Sequence, residues 1–160
     1  MTGSSTINER KKRWLKLLSR ELANRCMFLI EVEDSIKPRP LLWREKKRER
    51  IEWISEKYSK QMEMLEWLDD DRIPFLDMLT GTEIFAECFG CQVYLSHDNM
   101  PFALPLINSA GDVARLKQPK LEDTPLMYLF EMADELSIFA GKQAVFKLPD
   151  IQSPMDVAAL

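Results

Sequence analysis

The chain has 160 residues, 46 % of them hydrophobic and 30 % charged, which suits one domain with its own core and excludes a disordered segment. A net charge of −4 and a sequence pI near 5.2 exclude nucleic acid as an expected partner. No stretch is apolar for long enough to span a bilayer, and no secretory leader is seen, so no membrane association is expected; three cysteines without an export signal imply reduced thiols in a cytoplasm.

In chain order, Thr6 and Glu9 form an S/T-x-x-E box ahead of a helix predicted to run to about Leu22. Six basic residues between Arg10 and Arg20 read as the solvated face of that helix, because Trp14, Leu17 and Leu18 form an apolar stripe on it. "RCMFLIEVE" reads as a strand buried on both faces, and "DSIKPRP" breaks the chain. A long helix is predicted from Trp43 to about Leu68, with Ile51, Ile54, Tyr58, Met62, Leu65 and Leu68 on its apolar side, and "DDDRIP" ends it. "PFLDML" is the second strand candidate. "GTEIFAECFG" reads as a short helix closed by Gly90, and "CQVYL" as an extended piece.

"SHDNMPFALPLI" has no clear period and reads as a surface loop, followed by a short helix from Ser109 to Leu116 with Ser109 as cap and Asp112 at the box position. The next helix is capped by Thr124, started by Pro125 and stopped by Gly141, with Leu126, Leu129, Phe130, Ala133 and Leu136 as its buried face. "AVFKLPD" is the third strand candidate. "IQSP" then launches a helix inside which the sequence stops. Strands alternating with helices imply an α/β fold with parallel pairing, in a single domain over 1–160.

The stretch "FAECFGCQVYLSHDNMPFALPLINSAGDVARL" resembles the uroporphyrinogen decarboxylase superfamily. That family has a Glu-x-x-Gly turn, an extended piece and a Pro-Leu-Ile-x-Ser-x-x-Asp-Val-x-x-Leu motif; Glu87, Gly90, Pro105, Ile107, Ser109, Asp112, Val113 and Leu116 fit it. "PLMYLFEMADEL", "AVFKLPD" and "QSPMDVAAL" match the helix, strand and Ser-Pro turn that follow in the family, and "RKKRWLKLLSRELANRCMF" resembles its first helix and strand. The resemblance implies a (β/α)8 TIM barrel of which this chain supplies the N-terminal part, about three strands with long flanking helices, and an incomplete barrel free to self-associate through its open edge.

In such a barrel the reactive groups gather where strands run into the following loops. This places catalytic roles on Asp150, Gln152 and Glu83, and substrate contacts on Glu31, Thr80, Thr82, Asn99 and Ser153. The decarboxylase pattern of two arginines and one aspartate falls here on Ile30, Asp34 and Gly81, so the resemblance points first to corrinoid- and zinc-dependent methyl transfer to or from a small molecule. Uroporphyrinogen decarboxylation is the alternative, and a non-catalytic α/β binding module the second. The expected partner is a small-molecule substrate or a corrinoid protein. Zinc and a corrinoid are implied for the full-length enzyme, with no metal ligands assigned in this chain.

Three further patterns have ordinary explanations. Cys88 and Cys91 form a C-x-x-C at a helix C-terminus, which disfavours thiolates, and only one histidine accompanies them. His97 beside Asp98 reads as a loop histidine. Glu83 and Glu87 share a helix face, either as an acid–base pair or as solvated surface.

Overall fold

A computed structural model describes residues 3–21, 26–32, 37–142 and 144–149. The first helix, α1, spans Gly3–Leu18, so Thr6 and Glu9 lie within it and do not cap it; Ile7 anchors it in the interior. A single 3-10 turn at Arg44–Lys46 leads into α2, Lys47–Met64, and further turns carry the chain to Leu68. The remaining helices are α3 (Ile84–Cys88), α4 (Ala110–Val113) and α5 (Met127–Ala140). None among the described residues is long and apolar enough to cross a membrane.

The core lies between α2 and α5. Ile54 and Tyr58 of α2 meet Leu129, Met132 and Leu136 of α5, with Leu76 and Ile84 closing the cluster. The buried row of α2 continues through Arg50 and Gln61, two polar residues at the spacing of the apolar ones. Gln61 repays its burial by bonding both ways to Phe75: its amide donates to the Phe75 carbonyl and its oxygen accepts the Phe75 N–H, each at 3.1 Å. On α5 the buried face differs from the expected one. Phe130 is half exposed, and Met132, one turn position away, is fully buried.

The three segments read as strands lie near one another in chain order, but they form little ladder. Leu76 and Phe146 make a parallel bridge, with the Leu76 N–H donating to Val145 O and the Lys147 N–H to Leu76 O, both at 2.8 Å. Phe28 meets Asp71 through a single backbone bond of 3.0 Å. The run expected to be buried on both faces is the reverse: Cys26, Phe28, Leu29 and Ile30 are all exposed, because their neighbours are the Asp70 and Asp71 side chains and not a second strand. The regular sheet is a two-residue antiparallel pair, β1 (Val93–Tyr94) with β2 (Phe102–Ala103), so part of the "SHDNMPFALPLI" loop returns as a strand. The architecture is therefore helix-rich and mixed α/β, with parallel contact at one point.

Local punctuation behaves as expected in two places. Asp112 Oδ2 accepts the Ser109 N–H at 2.8 Å at the start of α4, and Gly90 and Gly141 take positive φ after α3 and α5. At Thr124 it does not: the hydroxyl donates back to Leu121 O at 2.7 Å, and α5 begins only at Met127, with Leu126 at the cap position.

Candidate functional site

The turn after Leu76 carries the most unusual backbone near a candidate residue. Leu79 has φ +48, a left-handed conformation uncommon for a branched side chain. Two devices hold it there. Asp77 Oδ1 accepts the Leu79 N–H at 3.0 Å, while its other oxygen pairs with Lys147 Nζ at 3.0 Å. From α2, the Arg50 guanidinium donates to Met78 O and Leu79 O at 2.8 Å each. The other end of the fork reaches Leu42 O and the Tyr128 hydroxyl, both at 3.3 Å.

This fixed turn delivers Thr80, Gly81 and Glu83 into the interior at the head of α3. Glu83 is only 5 % exposed, and its Oε2 is buried without a hydrogen-bond partner. Burial pushes its carboxyl above the ordinary carboxylate range and repulsion from Glu87 adds to this; its own N–H, Arg50 and the Gly81 N–H oppose without reversing it. Glu87, one turn on, sits in a different environment, ion-paired with Arg44 at 3.0 Å and partly open. Two carboxyls four residues apart thus sit in different environments, one buried and raised in proton affinity, the other ion-paired and partly open. The expectation of a solvated face fails for Glu83.

Glu83 and Glu87 open onto a cleft of about 190 Å³ that is also lined by Trp43, Arg44 and Tyr128. Outside the cleft, the His97 ring packs edge-on against Trp43, with centroids 4.9 Å apart. Of the residues expected to bind substrate, Thr80 is buried and Thr82 half-buried beside Glu83, whereas Asn99 is exposed at the hairpin tip and Glu31 is exposed on the first extended segment. None of these four, Thr80, Thr82, Asn99 or Glu31, lines the cleft. Asp150, Gln152 and Ser153 lie outside the described residues.

Gly81 permits this packing. A Cβ there would collide with the Glu83 carboxyl and come within 2.6 Å of the Pro101 carbonyl oxygen. Gly81→Ala is therefore expected to destabilise the protein by about 1–3 kcal/mol through overpacking. Adding Glu83→Ala should restore only part of the loss in a urea-denaturation cycle, because the clash with the Pro101 backbone carbonyl remains.

The cysteines do not form a reactive pair. Burial pushes both the Cys88 and Cys91 thiols up, and the Cys88 thiol donates to Ile84 O at 3.2 Å within its own helix. Among the described residues no group of three His, Cys, Asp or Glu side chains is placed to hold a metal.

Sequence reasoning missed Arg50 and Tyr128, and it missed a second cluster altogether. Asp70 and Asp71, read only as a helix stop, are buried; Arg10 pairs with Asp70 at 3.0 Å and Arg13 with Asp71 at 2.8 Å. Arg50 was detectable, since an arginine in the row of Ile54 and Tyr58 is either misplaced or buried with partners. No known protein family, curated protein or solved structure matches the chain.

Proposed function

We propose that the chain is the N-terminal portion of a barrel enzyme of the uroporphyrinogen decarboxylase type, acting on a small molecule by methyl transfer. Glu83 is the group that holds and moves the proton. The observation that carries this reading is the Glu83 carboxyl, buried, with an unpartnered oxygen, at the end of an extended segment that touches its neighbour in parallel. A carboxyl whose hold on its proton is strengthened by burial can pass that proton to the heteroatom from which a methyl group departs. The parallel bridge, with α5 between its two segments, supports the barrel reading. Three free thiols fit a cytoplasmic setting.

The described residues do not fit zinc, having no three-ligand group and thiols shifted toward the protonated form. The cleft is also too small for a corrinoid ring. This portion of the enzyme is therefore assigned the proton and the small substrate alone.

Decarboxylation is the second reading, and one observation favours it. The family's aspartate position falls on Gly81, and the Glu83 carboxyl fills the space that a side chain on Gly81 would take. Against it, Arg50 is spent on backbone carbonyls and Tyr128, and Arg44 stands in a cleft lined by Glu45, Glu83 and Glu87, whose acidic side chains oppose a polycarboxylate.

The test uses the native polypeptide with any chain it is joined to or bound by. Demethylation of methylated thiols, amines and alcohols by a corrinoid acceptor is assayed in parallel with porphyrinogen turnover. Methyl transfer that falls roughly 10²–10⁴-fold in Glu83→Gln is the expected result. Porphyrinogen turnover would shift the assignment to the decarboxylase, and full activity in Glu83→Gln would remove Glu83 from the chemistry. A second readout follows from linkage. Glu83 binds its proton more tightly folded than unfolded, so its contribution to stability is complete below the ordinary carboxylate value. That contribution fades as pH climbs toward the raised one, and Glu83→Gln should flatten the slope.

A further inference from the structure

We infer that the cleft above Glu83 takes a small organic cation, and that Arg44 occupies that cation's place in the empty protein. Three carboxyls, Glu45, Glu83 and Glu87, line the cleft together with the rings of Trp43 and Tyr128. Carboxylates beside aromatic faces are the surroundings in which guanidinium and alkylammonium groups are bound. The protein already displays such an occupant. The Arg44 guanidinium lies 5.1 Å from the centre of the Tyr128 ring and donates to Glu87 Oε1 at 3.0 Å.

Arg44 is weakly retained. Its side chain is 48 % exposed, and an ion pair so open to water contributes little, so the arm can swing outward at small cost. What it leaves behind is a gap of guanidinium size between Glu87 and Tyr128. Arg50 differs from Arg44: its two terminal nitrogens are taken by three carbonyls and the Tyr128 hydroxyl, and it does not line the cleft. A ligand anion would instead have to draw Arg44 from Glu87 while facing all three carboxyls. The cleft volume of about 190 Å³ admits a group of a few heavy atoms, smaller than a drug-sized ligand.

This inference rests on the Glu83 cleft being the site, but its test is binding, not turnover, so the two fail separately. Guanidinium, methylguanidinium and trimethylammonium are titrated into the protein by NMR, with acetate as the anionic counterpart. Arg44→Ala should bind the cations roughly three- to tenfold more tightly than the wild type, because the internal competitor is gone. Adding Glu87→Gln to that variant should weaken them roughly tenfold. Cation binding that is absent from both proteins, or that weakens in Arg44→Ala, would overturn the inference. So would acetate binding that disappears with Arg44, since it would make the arginine an anion receptor.

Discussion

Asp71→Ala should destabilise the protein by about 3–5 kcal/mol, the loss expected when one partner of a buried ion pair is removed. The carboxylate is fully buried, paired with Arg13 at 2.8 Å, and accepts the Phe28 N–H at 3.2 Å. Its removal leaves the partly exposed Arg13 guanidinium without its carboxylate and the Phe28 amide without its acceptor. Asp69, its exposed neighbour two positions earlier, supplies the control: Asp69→Ala should change stability by less than about 0.5 kcal/mol. Urea denaturation of both variants checks the pair, and near-equal losses would show that the Asp71 contacts are not worth what their burial implies.

Arg50→Met is the second large effect, expected at about 3–5 kcal/mol although methionine follows the arginine stem and keeps most of its packing. The side chain is 1 % exposed and satisfies three carbonyl oxygens at once. Two of these belong to the left-handed turn at Leu79, so the variant should loosen the segment that carries Glu83 as well as the core. Arg48→Met is the counterpart on the opposite face. That arginine is 92 % exposed and pairs with Glu52 on its own helix, so a change within about 0.5 kcal/mol is expected. Denaturation midpoints check stability, and amide exchange at Leu79 to Glu83 checks the loosening.

What could be read from the sequence followed local chemistry closely. The glycine stops at Gly90 and Gly141 and the Ser109–Asp112 box depend only on residues within one turn, and they stand where expected. The α2 stripe was legible for the same reason, through Ile54 and Tyr58. Thr124 shows where that approach ends, because its hydroxyl had two carbonyl and amide options nearby and took the one behind it. Phe130 and Met132 show it again: both suit a buried face, and only the neighbour α2 decides which of them turns inward.

The site was less visible. Glu83 could be nominated from its place after a strand candidate, yet its burial depends on Arg50, 33 residues earlier, and on Pro101, 18 later. The Asp70–Asp71 cluster was hidden because acidic residues after a helix ordinarily face water, and nothing local marks Arg10 and Arg13 as their partners.

The way those two aspartates hold the first extended segment has a kinetic consequence. Asp71 and Asp70 accept the N–H groups of Phe28 and Ile30, two residues apart and so on one edge of the backbone. Side-chain acceptors thereby fix the register of this segment in place of a neighbouring strand, over sequence separations of 43 and 40 residues. Loops of that length close late, after helices such as α2 and α5 have formed. Residues 26–32 should therefore be among the last to gain protection during refolding, and the first to lose it on unfolding.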